Sequence, residues 1–388
     1  MPNKTVVVLG GGVDGLSVAN DLRRRLGREH RVLVVDKTGN HVFWPSLLWL
    51  QVGLREPDTI TKDLERLLKS GIEVVRGEVD SIDPETRRVT VDGETIEADY
   101  LVVSLGAQLA PENVPGLADA GQNLYSMEGS VAVWDFCRGL NSETPETKIA
   151  VLVAGMPFKC PAAPYEAAML LAHHAQKECQ AGQVSVSVYS PEAGPMGVAG
   201  SVAGARARGM PSPPGIGYHP QHPNVKSDPP PPTLTFYKGA EEHQAFLPYA
   251  PPPVLPPVVC AAGLAEEGGW ISVDRGSMET RFPGVFAIGD NMSVPLEMGL
   301  PLPKAGVFAH GQAQAVARTI SARINGKGRE GTFDGHGVCF VETGGGKAGF
   351  GGGNFYALPL PQVKFHQPSR RWHMAKVLFE KKWMKRWF

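Results

Sequence analysis

The chain has 388 residues, 42% hydrophobic and 20% charged, with a formal net charge of −1 at pH 7. That length predicts two or three domains with sizeable cores, and the apolar content excludes disorder along the whole chain. The near-neutral balance offers no general attraction to nucleic acid, and no apolar run is long enough to span a bilayer. The start, MPNKTVVVLGGG, runs from a short strand-like stretch straight into glycines and is read as carrying no signal peptide. The five cysteines, Cys137, Cys160, Cys179, Cys260 and Cys339, form neither a disulfide framework nor a zinc-type spacing, so no metal is expected.

In chain order, residues 5–9 (TVVVL) predict a buried strand, followed by glycines and a helix through Arg25. Residues 31–35 (RVLVV) predict a second strand ending at Asp36, which makes a βαβ unit and a parallel sheet. Residues 72–76, 88–91 and 100–104 continue the strand pattern, with a hairpin turn at VDGET. A second α/β pattern begins at Lys148: a strand over 149–153, a helix over 165–176 and a strand over 184–189. Residues 211–257 hold 15 prolines, which predicts loop, polyproline or edge strand and excludes regular helix and central strand. Order returns at Trp270, with a strand over 285–288 and a helix over 307–325. Residues 344–353 (GGGKAGFGGG) predict a loop. The last twenty residues carry seven Lys/Arg, one Glu and three Trp.

Gly10, Gly12 and Gly15 fit GxGxxG between a strand and a helix, with Asp36 placed 21 residues after the last glycine. The first glycine permits the tight turn, the second permits close approach of a pyrophosphate, and the third packs helix on strand; the acid accepts from a ribose hydroxyl. This predicts a bound dinucleotide without separating NAD from FAD. The equivalent turn of the second pattern, residues 155–161 (GMPFKCP), keeps one glycine and gains two prolines and a Phe. Prolines remove donors and side chains block approach, so a nicotinamide donor is not expected there. Cys160 instead stands at the start of a helix beside Lys159, a setting that lowers a thiol's pKa.

Residues 280–290 (TRFPGVFAIGD) and 104–107 (SLGA) resemble the second FAD segment and the interdomain turn of two-dinucleotide-domain, disulfide-reductase-like flavoproteins. Taken alone, Gly289-Asp290 is equally an ordinary strand-end turn. FKCPAAPYE (158–166) resembles the first cysteine segment of the sulfide:quinone oxidoreductases and flavocytochrome c sulfide dehydrogenases. CFVETG (339–344) resembles their other cysteine segment, and PKAGVFA (303–309) resembles their loop beside flavin and quinone. FWPS (43–46), PMG (195–197) and the final FEK (379–381) add to the match.

The resemblance implies an α/β fold of two Rossmann-like domains plus a membrane-associating terminal segment. The expected division is an FAD domain at 1–115 and 265–330, a second domain at 116–264 with a degenerate NAD site, and a C-terminal redox-cysteine loop and basic helix at 331–388. It implies FAD held by Gly10, Gly12, Gly15, Asp36, the Val79 backbone, Gly106, Gly289, Asp290, Lys304 and Gly306. It implies that hydrosulfide, or another small sulfur donor, attacks a Cys160–Cys339 disulfide or sulfur bridge. Two electrons then pass from the freed thiolate to flavin and on to membrane quinone. Glu166 is the candidate proton acceptor, or else a helix-start carboxylate on the dipole. Lys304 is the candidate stabiliser of reduced flavin or quinone, or else a surface cation. Phe340 and Phe355 are candidate quinone contacts, or else core aromatics. The third cysteine of many relatives is absent from residues 125–133, and Cys137 reads as core.

The C-terminal stripe of Trp372, Ala375, Phe379, Trp383 and Trp387, amid a local charge near +6, predicts a peripheral helix on an anionic leaflet, with the cytoplasmic face expected. The other reading packs that stripe on the protein itself. A homo-oligomer is admitted. Three further readings stand: a sulfide dehydrogenase donating to cytochrome c, a type II NADH:quinone oxidoreductase, and a flavin-binding relative without turnover.

Overall fold

The computed structural model describes residues 3–197, 216–237, 239–266 and 268–385. Apolar, β-branched runs make most of the inner strands. Strand β1 (Thr5–Leu9) leads into helix α1 (Val13–Arg25) and strand β2 (Arg31–Asp36). Strands β3 (Glu73–Arg76) and β4 (Tyr100–Val103) follow. Between them, the hairpin of Arg88–Val91 and Glu94–Glu97 turns through Asp92 and Gly93, both left-handed (φ 47° and 81°). The next stretch contributes β5 (Gln122–Asn123), β6 (Thr147–Val153), helix α2 (Ala163–Glu178), β7 (Val184–Tyr189), β8 (Ile216–His219) and β9 (Pro248–Ala250). The chain then returns with β10 (Val285–Ala287) and helix α3 (Gly306–Asn325). It ends in β11 (His336–Gly344), β12 (Lys347–Asn354), β13 (Gln362–Ser369) and helix α4 (Arg370–Trp383).

Two parallel five-stranded sheets result, ordered β10-β4-β1-β2-β3 and β5-β9-β6-β7-β8. Strand β1 is central in the first sheet, and its residues Val6, Val7, Val8 and Leu9 are wholly buried, as a strand covered by helices on both faces requires. The third sheet is an antiparallel meander, β11-β12-β13.

Three expectations need correction. Residues 344–353 are not one loop: the turn is confined to Gly344, Gly345 and Gly346, all left-handed, and β12 carries the rest. The glycines of β12 make room for close neighbours. A Cβ on Gly351 would stand 2.6 Å from the Phe365 ring, and one on Gly353 would stand 1.8 Å from the Gln362 carbonyl oxygen. The proline-rich segment does supply a central strand. β9 lies between β5 and β6 and tolerates Pro248 because it is only three residues long and begins with it. Part of that segment, including Pro211, Pro213 and Pro214, lies outside the described residues.

The third correction concerns the terminal helix. Trp383 is 2% exposed; its indole Nε1–H donates to His41 Nε2 (2.9 Å), and its ring packs with Phe43 and Phe379. Trp372 stacks on Phe350 at 4.5 Å between centroids. The aromatic stripe therefore packs on the protein, because these rings find ring-lined cavities at hand. Trp387 lies outside the described residues. Among the described residues, no helix is long and apolar enough to cross a membrane.

Candidate functional site

The first glycine turn is built for a close-lying ligand. Gly10 is left-handed (φ +98°), and a Cβ on it would stand 2.4 Å from the Ser104 carbonyl oxygen. A Cβ on Gly15 would stand 1.8 Å from the Gly10 carbonyl oxygen, so only glycine lets α1 lie this close to β1. Gly12 begins α1 without a side-chain cap, which leaves first-turn N–H groups for an anion. Asp36 stands at the end of β2, accepting from the backbone N–H groups of Gly11 (2.8 Å), Thr38 (2.9 Å) and Gly39 (2.8 Å). Gly106 is left-handed with open space where a Cβ would be, and Val79 starts a strand opposite Val91. A Cβ on Gly306 would touch Val13 at 3.6 Å.

Gly289 and Asp290 follow β10 after one residue, Ile288. A Cβ on Gly289 would stand 2.0 Å from the Asp14 carboxylate. The Asp290 carboxylate pairs with Lys159 (3.2 Å), and its carbonyl accepts from Lys304 Nζ (2.7 Å). Next to it, buried Asn291 donates to the Val103 carbonyl and leaves its Oδ1 without a partner among the described residues. The uncapped helix terminus, the glycine-lined turn and the orphan acceptor fit a dinucleotide with a pyrophosphate and a polyol, which is the chemistry of FAD. Two features escaped the sequence reading. Burial, reinforced by Asp290, pushes the Asp14 carboxyl up to about 7. Lys304 is not a surface cation: it is 8% exposed, its Nζ stands 3.2 Å from the centroid of the Trp270 ring, and burial brings its amine down to about 7.

The second turn is closed to a pyrophosphate. Pro157 and Pro161 lack N–H groups, and Phe158, 4% exposed, fills the space beside them. Cys160 is held left-handed (φ 45°), a conformation that costs roughly 1 kcal/mol for a side-chain-bearing residue. Its N–H donates to the Lys304 carbonyl (2.7 Å), and its carbonyl accepts from Ala163 N–H (2.9 Å) at the start of α2. Lys304 thus joins the Gly289-Asp290 turn, through its side chain, to the second turn, through its backbone at Cys160.

Cys339 of β11 lies near Cys160, both cysteines are free, and the Cys339 Sγ–H donates to the Phe340 carbonyl (3.4 Å). The neighbouring Cys339 holds the Cys160 thiol below its ordinary value, while Cys160 and burial push Cys339 well above it. Cys160 is therefore the readier thiolate and Cys339 the proton donor. Lys159 does not supply the positive field at the thiol, because its Nζ turns to Asp290 and to the Ala107 carbonyl (3.2 Å). The cation acting on both thiols is Lys376 of α4, which no spacing in the sequence pointed to. Lys376 is ion-paired with Glu166; both are buried. Glu166 is raised from its ordinary value, chiefly by burial. Cys137 is wholly buried and pushed up to about 12, which leaves it inert at neutral pH.

Phe340 and Phe355 do not share a cluster. Phe340 packs on Phe350 (5.1 Å), whereas Phe355 packs on Phe308 (4.9 Å) and lines a cleft with Leu296, Met298, Tyr356 and Pro359.

Residues 4–156 match the family described as Pyridine nucleotide-disulphide oxidoreductase. Mitochondrial sulfide:quinone oxidoreductase of Mus musculus is 24% identical over 387 residues, covering 94% of this chain and 81% of that protein. Sulfide-quinone reductase of Aquifex aeolicus is 26% identical over 396 residues, covering 97% and 90%. This chain is a homologue of the sulfide:quinone oxidoreductases. The X-ray structure of the Aquifex aeolicus sulfide:quinone oxidoreductase superposes with a TM-score of 0.86 at 24% identity, over 99% of this chain and 91% of that one. A NAD-dependent persulfide reductase from A. fulgidus shares the fold more distantly, with a TM-score of 0.68 at 20% identity over 90% and 64%.

Proposed function

We propose that this chain is an FAD enzyme that oxidises sulfide and delivers the electrons to quinone. The observation carrying this reading is the juxtaposition of Cys160 and Cys339, joined through Lys304 to the Gly289-Asp290 turn. Residues 1–115 with 265–330 form the flavin domain in this reading. There Gly10, Gly12 and Gly15 admit the pyrophosphate, Asp36 takes the ribose, and Val79, Gly106, Gly289, Asp290 and Gly306 line the remainder. FAD supplies a two-electron acceptor that also reacts with one-electron and hydride partners. The chain's own residues do the sulfur chemistry. In the oxidised enzyme hydrosulfide attacks the Cys160–Cys339 disulfide, forming one S–S bond as the other breaks and leaving one cysteine as a persulfide and the other as a thiolate, since thiolate attack on a disulfide needs only ionisation and a good leaving group. Glu166 takes the proton released there. Lys304, with an amine near 7, gives or takes a proton at the electron-accepting centre.

For quinone, Phe355 is favoured over Phe340. Its cleft is lined by Pro359 and Pro361, neighbours in the chain of Leu358 and Leu360, which are 65% and 45% exposed. With Met374 and Leu378 of α4, each 53% exposed, these residues give the chain apolar side chains to set against a lipid surface. The reading therefore includes peripheral membrane attachment.

Anaerobic addition of sulfide to the holoenzyme should bleach the flavin absorbance, a short-chain quinone should restore it, and NADH should leave it unchanged. Bleaching by NADH, or none by sulfide, would overturn the reading.

A further inference from the structure

Behind the thiol pair, four ionisable side chains from three elements lead toward the surface. Glu166 of α2, Glu342 of β11 and Lys376 of α4 are 3%, 1% and 5% exposed, while the side chain of His373, one turn before Lys376 on α4, is 23% exposed. Lys376 is ion-paired with Glu166. The Glu342 backbone N–H donates to the Glu166 carboxylate, and the Glu342 carboxylate repels it. His373 Nδ1 then meets both Glu342 oxygens at 3.0 Å. The other charged neighbours are few. Arg55, itself paired with Glu380, stands over the Trp49 ring at 4.3 Å. Lys376 stands over the same ring at 4.7 Å, and His373 meets it edge-on at 6.0 Å. His173 of α2 packs on the Gly344 turn that ends β11. A buried carboxylate pair is costly unless it is used or fully compensated, and here the pair runs from Glu166, whose charge is felt at both thiols, to the one partly exposed member, His373.

We propose that Glu166, Lys376, Glu342 and His373 are the proton outlet of the thiol pair. The proposal rests on the sulfide reading. Hydrosulfide attack on the Cys160–Cys339 disulfide forms one S–S bond and breaks another. One cysteine is left as a persulfide and the other as a thiolate. The incoming sulfur loses two electrons and the disulfide gains them. The proton that hydrosulfide carried remains on the persulfide and passes to the Glu166 carboxylate, which Lys376 keeps ionised until then. Glu342 and His373 hand a proton on to water, and the outlet is reset.

The test uses holoenzyme of the wild type, His373→Ala and Glu342→Gln. Each is mixed anaerobically with sulfide, with and without imidazole, while the flavin absorbance is followed. In parallel, capture of Cys160 by iodoacetamide is measured against pH. Both variants should slow bleaching by about tenfold or more, the lower range for loss of a proton-transfer group. Imidazole should restore His373→Ala and leave Glu342→Gln slow. The capture profile should shift in Glu342→Gln, because removing the Glu342 charge alters the field on Glu166 and through it at the thiols. Wild-type bleaching rates in both variants would overturn the outlet alone, as would a slow His373→Ala that imidazole does not help or a capture profile unchanged in Glu342→Gln. A wild type that sulfide does not bleach would overturn the sulfide reading, and the outlet with it.

Discussion

The two sheets each end their first long strand in a turn, and the two turns have diverged. After β1, Gly10, Gly12 and Gly15 strip away side chains until backbone is all that a ligand meets. After β6, the same topological position carries Pro157, Phe158, Cys160 and Pro161, and the space is filled. One turn has kept the cradle at a helix N-terminus. The other has exchanged the cradle for a thiol and holds it in a left-handed backbone conformation. Position in an α/β fold therefore marks where chemistry happens, while the side chains at the turn decide which chemistry it is.

The contrast can be broken at either turn. The largest effect is expected from Cys160→Ser, which should slow sulfide-driven flavin reduction by at least about 10³-fold, the scale on which loss of a nucleophile acts. Dithionite should still reduce its flavin normally. Next, Gly15→Val should yield flavin-free protein, since its Cβ collides with the Gly10 carbonyl oxygen at 1.8 Å. Gly155→Ala should keep its flavin, because a Cβ there meets only Pro252, at 3.1 Å. Flavin absorbance per chain reads both. Trp383→Ala should cost about 3–5 kcal/mol in denaturant unfolding, the range for emptying a buried aromatic site. It also removes the donor to His41, whose other nitrogen lies 3.1 Å from the Gly11 carbonyl oxygen behind the first turn. Leu378→Ala, on the exposed face of the same helix, should leave stability within about 0.5 kcal/mol.

A further test concerns Asp14. Its carboxyl is held at about 7 against an ordinary 3.8, so the unfolded chain loses that proton first as pH rises. Stability is therefore lost from about pH 4 to pH 7 and is constant above. Asp14→Asn should melt a few degrees above the wild type at pH 8 and show no gain at pH 4.

What the sequence made legible was local. The run VSVSVY gives β7 over Val184–Tyr189, and GxGxxG with Asp36 gives the first turn, because each signal lies within one βαβ unit. The partners that complete the thiol surroundings were not legible. Lys376 meets Glu166 across 210 residues and His373 meets Glu342 across 31, so no window of sequence holds both ends. The glycines of β12 read as loop because glycine disfavours strands in isolation. Only the Phe365 ring and the Gln362 backbone lying against them explain why glycine is needed there. The terminal Trp stripe has the same pattern whether it meets lipid or protein, and its partners His41 and Phe43 lie at the other end of the chain.

The most direct measurement is the mass of the two cysteine peptides after a single anaerobic turnover with sulfide. The Cys160 and Cys339 peptides should be recovered linked, or with one carrying an added sulfur atom, in proportion to the flavin bleached. Bleached flavin with both peptides recovered as unmodified thiols would place the sulfur chemistry elsewhere.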